Sequence, residues 1–128
     1  MPARILVVDD DASILRLVRL NLEMEGYDVL EASDGKQALD ALAKSKKLPD
    51  LMVCDVMMPG MDGLEVVRRI RKDDQLAALP VLLLSAKAQD RDVQHGKSAG
   101  ADDYLTKPFD PDDLLETVAR LLKAGPRK

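Results

Sequence analysis

Tryptophan is absent from this 128-residue chain, and two tyrosines and one phenylalanine are its only aromatic residues. The core of a single domain must therefore come from Leu, Val, Ile, Ala and Met, which a 46% hydrophobic share can supply at this length. That composition suits helices packed on a small buried sheet. A single cysteine excludes an internal disulfide. Neither a charged-then-apolar leader nor an apolar run of ~20 residues is present, so the expected home is the cytoplasm, without membrane contact. Positive charge is in deficit, with 19 Lys and Arg against 23 Asp and Glu, a net charge of -4 and a pI near 5.0. This disfavours a nonspecific grip on a polyanion and argues against nucleic acid as a direct partner. The one histidine, His95, falls in a polar stretch and reads as a solvated side chain rather than a relay group.

Three short apolar runs are present, Ile5 to Val8, Leu51 to Cys54 and Val81 to Leu84, each without polar alternation. Such runs predict strands buried on both faces. Between them, Ser13 to Glu25 carries Ile14, Val18 and Leu22 on one stripe, and Leu64 to Lys72 carries Leu64, Val67 and Ile70. These are helices with one core face. Weaker strands are predicted at Tyr27 to Glu31 and Asp103 to Thr106, and helices at Lys36 to Lys44, Gln89 to Ala99 and Asp112 to Lys123. Gly26 sits where the first helix should stop, Asp34 and Asp110 can cap helices, and Pro111 suits a first helical position. The alternation is βα five times over. Crossovers of this length make the strands parallel, and right-handed connections place helices on both faces of a five-stranded α/β sheet. Residues 1–123 form one domain, and the closing Ala124-Gly-Pro-Arg-Lys128 reads as a tail or the stump of a linker.

In open parallel sheets ligands gather beyond the carboxyl ends of the strands. Here each run ends in polar residues: Asp9, Asp10 and Asp11 after the first, Asp55 after the second, Ser85 after the third, and Lys107 just past the last weak strand. Asp11 can be spent on capping the first helix, but capping needs only one acid. Unit charges at ~4 Å interact by roughly 4 kcal/mol at an effective dielectric near 20, so clustered carboxylates imply a divalent cation. Oxygen donors with few protein ligands favour Mg2+. A metal, an ammonium and a hydroxyl make a phosphoryl-binding set, and a carboxylate in its middle can itself be the nucleophile. Cys54 should point opposite to Asp55, into packing, while Met57, Met58 and Met61 shape the loop after the acid.

Four segments, Ile5-Leu-Val-Val-Asp-Asp-Asp11, Asp55-Val-Met-Met-Pro-Gly-Met-Asp-Gly63, Leu84-Ser-Ala86 and Tyr104-Leu-Thr-Lys-Pro-Phe109, resemble the signatures of receiver domains of bacterial two-component response regulators. The resemblance spans nearly the whole chain and implies a flavodoxin-like, doubly wound (βα)5 fold. It implies Asp55 as phosphoacceptor, and Asp10, Asp55 and the Met57 backbone carbonyl as Mg2+ ligands, with Asp9 acting mostly through water. Lys107 and Ser85 would hold the phosphoryl oxygens, Tyr104 would turn inward from an outward position as Ser85 and the loop to Lys87 close, and Pro108 would be cis. The implied donor is a sensor histidine kinase or a histidine phosphotransfer protein. The implied target is a downstream protein or a missing output domain. Receivers of the winged-helix transcription factor class place basic residues where this chain has Val93 and Thr117, which weakens the case for that class's dimer. A monomer, or a weak phosphorylation-dependent dimer, is expected.

Two rival readings remain. Asp9-Asp10-Asp11 also fits the first motif of a haloacid-dehalogenase-type phosphatase, but that leaves Asp55 without a role and lacks a late acidic metal motif. A non-phosphorylated receiver-like binding module would not need all five of these site residues. The receiver reading makes the chain a switch that catalyses its own phosphorylation and slow dephosphorylation, not a turnover enzyme. Its weakest helix should be Gln89 to Ala99, which offers Val93 and Ala99 to the core while Gly96 costs about 1 kcal/mol against Ala.

Overall fold

The computed structural model describes residues 2–86 and 89–127. Ten elements alternate: β1 (Arg4–Val8), α1 (Ala12–Met24), β2 (Asp28–Ala32), α2 (Gly35–Lys44), β3 (Leu51–Asp55), α3 (Gly63–Lys72), β4 (Val81–Ser85), α4 (Asp90–Ala99), β5 (Asp103–Thr106) and α5 (Pro111–Ala124). The strands form one parallel sheet in the order β2-β1-β3-β4-β5. Among the described residues no helix is long and apolar enough to cross a membrane.

The three unalternating runs are the three central strands, and their side chains divide between two cores. Ile5, Val7, Leu51, Val53, Leu82 and Leu84 meet α1 and α5 through Leu15, Val18, Leu22, Leu114 and Val118. Leu6, Val8, Met52, Cys54, Val81 and Leu83 meet α2, α3 and α4 through Leu42, Val66, Ile70 and Ala99. With both faces covered, neither face of these strands can carry polar residues. The edge strand β2 is half exposed, which is why its run reads more weakly.

Helix starts follow local chemistry. Asp11 accepts from the Ser13 and Ile14 amides, Asp34 from Gln37, Asp62 from Glu65, and Asp110 from Asp112 with Pro111 behind it. α4 begins at Asp90, one residue later than expected, because Gln89 occupies the cap position and makes no side-chain cap bond.

The amino-terminal edge of the sheet is tied by a residue that the sequence patterns do not single out. Arg71, at the end of α3, donates to the carbonyls of Gly100 (2.9 Å), Ala77 (3.0 Å) and Leu79 (2.6 Å) and to Asp102 (3.1 Å). Asp102 also accepts from the Val81 amide at 2.7 Å. This knot joins the connections entering β4 and β5, and so helps to hold Ser85 opposite Thr106 at the other end of those strands. Gly100 takes φ +117°, and a Cβ there would fall 2.7 Å from the Arg71 Cγ. The tail folds back on the same knot: the Arg127 amide donates to Ala78 at 2.9 Å, and its guanidinium meets the Gly100 carbonyl and Asp102.

Removing the Arg71 side chain takes its donors from the Ala77 and Leu79 carbonyls and one partner each from the Gly100 carbonyl and Asp102. Arg71→Ala should therefore cost about 3 kcal/mol in urea unfolding. Arg69→Ala, which breaks an exposed pair with Glu65, should cost less than about 1 kcal/mol. Equal losses would show that the knot adds nothing beyond a surface ion pair.

Candidate phosphoryl-acceptor site

The carboxyl ends of β1, β3, β4 and β5 meet at one edge because the register pairs Val8 with Cys54, Asp55 with Leu84, and Ser85 with Thr106. The residue that follows or ends each run therefore lies at that edge. Asp9 is 1% exposed, Asp55 5% and Ser85 fully buried, whereas Asp10 is exposed at the rim. Carboxylate oxygens of Asp9, Asp10 and Asp55 lie within 4.8 Å of one another. The Lys107 ammonium reaches in from beyond β5, 2.8 Å from Asp9 and 3.3 Å from Asp55. Three carboxylates set against one ammonium leave a net double negative charge, and oxygen donors of that charge suit a divalent cation such as Mg2+.

Backbone contacts place these side chains. The Lys107 amide donates to the Ser85 carbonyl at 2.7 Å, which fixes the start of the β5–α5 connection against β4. The Lys107-Pro108 bond is cis, as expected. The free Asp9 oxygen accepts from the Asp11 amide at 2.9 Å. The loop after Asp55 closes on itself, with the Gly63 amide donating to the Val56 carbonyl at 2.9 Å. A Cβ on Gly63 would stand 2.3 Å from the Asp55 carbonyl oxygen, so only glycine lets the start of α3 abut the end of β3. Gly63 received no separate role from the sequence, although it closes the motif that begins at Asp55. The direct contact between Lys107 and Asp9 has no signal in the sequence either, because the two residues lie 98 positions apart.

Burial raises the Asp55 pKa to about 6, with the Asp9 charge adding to the shift and Lys107 and the Met57 amide opposing it. For Lys107 burial works against the charge, but the bond to Asp9 and the nearby carboxylates outweigh it and hold the pKa above the ordinary lysine value. Cys54 is fully buried on the far side of the strand, its thiol donating to the Asp55 carbonyl at 3.3 Å, and burial keeps it protonated.

The family model of the response regulator receiver domain matches residues 5–119. The chain is a response regulator receiver domain. It is 48% identical over 124 residues to the DNA-binding dual master transcriptional regulator RpaA of Synechocystis sp., covering 97% of this chain and 51% of that protein. It is 46% identical over 123 residues to the transcriptional regulatory protein PhoP of Bacillus subtilis, covering 96% and 50%. This receiver thus spans about half the length of the curated relatives it matches. Among solved structures, the chemotaxis protein CheY4 of Vibrio cholerae has a TM-score of 0.87 at 38% identity, covering 94% of this chain and 99% of that one. The receiver domain of a Francisella response regulator has a TM-score of 0.87 at 38% identity, covering 95% and 98%. Receivers serve phosphorylation-dependent two-component signalling and are not turnover enzymes in their own right, and the phosphatase and binding-module readings are not favoured.

The structure brings Asp9, Asp10, Asp55, Ser85 and Lys107 to one edge of this receiver. Tyr104 is set apart from them, buried against α4 at 9% exposure instead of outward as expected, because α4 offers its ring a gap at Gly96. The expected movement of the loop from Ser85 to Lys87 falls partly on residues outside those described. His95 is exposed on α4, beside a cavity of about 100 Å³ that Tyr104 also lines.

The raised Asp55 pKa gives this receiver a defined dependence on pH. The folded state binds the Asp55 proton more tightly than the unfolded chain, so the carboxylate lowers stability once pH rises through about 6 and ceases to do so as pH falls below the ordinary carboxylate value. In metal-free buffer, Asp55→Asn should raise the melting temperature by several degrees at pH 7.5, with the gain shrinking steadily toward pH 4. A gain independent of pH would locate the stabilisation elsewhere.

Proposed function

We propose that Asp55 accepts a phosphoryl group from a phosphohistidine on a sensor kinase or a histidine phosphotransfer protein. The observation that carries this reading is the placement of Asp55: nearly buried, 3.3 Å from an ammonium and within 4.8 Å of two further carboxylates. One Asp55 oxygen attacks phosphorus as the phosphorus–nitrogen bond breaks, and the electron pair leaves with the imidazole nitrogen. The product is an aspartyl phosphate, which water later cleaves to phosphate and the free carboxylate. Such transfers need positioning and charge neutralisation more than a catalytic base. Lys107 exchanges its carboxylate contacts for phosphoryl oxygens, and Ser85 offers its hydroxyl to another. Asp10, Asp55 and the Met57 carbonyl would hold Mg2+, with Asp9 contributing through water, and the ion would supply charge neutralisation for the phosphoryl oxygens. The Met57 amide already faces the Asp55 carboxylate, in keeping with a backbone that turns toward this site.

Leu17, Leu20 and Met24 lie exposed at i, i+3 and i+7 along α1, which gives a protein partner apolar ground on the helix that begins just after Asp11. We read residues 1–123 as the receiver and the rest as tail or linker stump, with output passing to a downstream protein or a further domain. DNA binding, stated of RpaA, belongs in this reading to the half of that protein outside the match, while the acidic receiver stays off nucleic acid. Thr117 is buried and Val93 packs partly against the core, so neither position offers the surface charge of the winged-helix class. A monomer or a weak phosphorylation-dependent dimer follows.

Incubation with acetyl phosphate and Mg2+ should add one phosphoryl group by intact mass, and Asp55→Asn should abolish it. Labelling that persists in Asp55→Asn and maps to Asp9 would revive the phosphatase reading. Mg2+ alone at millimolar concentration should raise the melting temperature, because a ligand bound only by the native state adds RT ln(1 + [L]/Kd), and Asp10→Asn should blunt that rise. A melting curve indifferent to Mg2+ would remove the metal from the site.

A further inference from the structure

We propose that Gly96 is the seat that holds the Tyr104 ring inward, a positioning residue acting through Tyr104. The meaning of that ring as a reporter of phosphorylation rests on the function proposed above, whereas its seating does not.

Gly96 is out of place by helix propensity. It lies inside α4, with no positive φ to require glycine, and glycine there costs about 1 kcal/mol against alanine. α4 can ill spare that stability. It has no side-chain N-cap bond, and Gly96 and Ala99 are its only buried residues. The reason for glycine is steric. A Cβ built on Gly96 would stand 2.8 Å from Tyr104 Cδ2, 3.2 Å from Cε2 and 3.2 Å from Leu83 Cδ1. The Leu83 contact needs only a few tenths of an ångström, but the ring contact is closer than a real Cβ tolerates. Leu83 is fully buried and lies opposite Tyr104 in the β4–β5 register, so it closes the seat from the sheet side. The ring has somewhere else to go, because β5 is an edge strand, and χ1 rotation swings an edge side chain past α4 toward solvent.

Gly96 therefore gives up helix propensity to admit the ring, and α4 packs on β5 largely through it. Adding one methyl group sets two effects against each other. It strengthens α4, and it expels the ring. Which effect dominates depends on whether the ring is present, and this gives a change of sign that a merely weak helix position would not show.

The chain has two tyrosines and no tryptophan, so Tyr27→Phe leaves Tyr104 as the only tyrosine emitter. In that background, acrylamide quenching of tyrosine emission reads ring exposure without metal or phosphoryl mimic. Gly96→Ala should steepen the quenching at least twofold and lower the melting temperature. In a Tyr104→Ala background the same substitution should raise the melting temperature. If Gly96→Ala alone fails to fold but the double variant folds, the seat is supported. Failure of both to fold, unchanged quenching, or a temperature shift of the same sign in both backgrounds would overturn it. Intact-mass labelling with acetyl phosphate separates the two readings. Absence of a label removed by Asp55→Asn counts against phosphorylation at Asp55, while the quenching difference made by Gly96→Ala in unlabelled protein stands or falls on the seat alone.

Discussion

Two nearly buried carboxylates share the ammonium of Lys107, 2.8 Å from Asp9 and 3.3 Å from Asp55, and the rest of the molecule is arranged around keeping that charge out of water. Burying one carboxylate without a partner is costly, and burying two side by side is worse. The fold meets this with three devices that act together. Parallel strands deliver the acids to one edge, the amide of Lys107 is anchored on Ser85 so that its side chain crosses to β1, and Asp10 stays in solvent. The remaining charge is negative, and oxygen donors of that charge suit a divalent cation.

The two ends of the sheet divide the labour. At the amino-terminal edge Arg71 ties the approaches to β4 and β5 with bonds to three carbonyls and Asp102, and the tail is drawn onto the same knot. At the carboxyl edge lie Asp9, Asp55 and Ser85, with Lys107 reaching across to both acids. Between them, α3 is anchored by Val66, Val67 and Ile70, while α4 buries only small residues. A helix held by little burial is the one whose position a small change at the site can alter. The weakness of α4 is thus local to the side of the sheet where Ser85 and Tyr104 lie.

Much of this was legible in the residues alone, for definite reasons. The central strands declared themselves because both faces are covered, and that forbids polar alternation. The site acids declared themselves because a charged residue ending an apolar run has only the sheet edge to occupy. Helix starts were readable at Asp34 and Asp110, where a short acidic side chain satisfies an amide two or three residues on. Arg71 gave no such signal. Its partners are backbone carbonyls, which every residue has, so nothing in their side chains marks them as acceptors.

By itself the sequence determined the order of elements, the parallel sheet, the gathering of Asp9, Asp10, Asp55, Ser85 and Lys107, and the membership that their motifs announce. These follow from periodicity and from chain connectivity, which are properties of neighbours along the chain. Only the tertiary structure decided that Lys107 reaches Asp9 as well as Asp55, that Gly63 lies against the Asp55 carbonyl, and that Gly96 is a seat for an aromatic ring and not just a poor helix residue. Each of these is a contact between segments far apart in sequence or a space that a missing Cβ leaves open. Residue type alone does not say which atom will fill such a space, because that is settled by how the helices pack on the finished sheet.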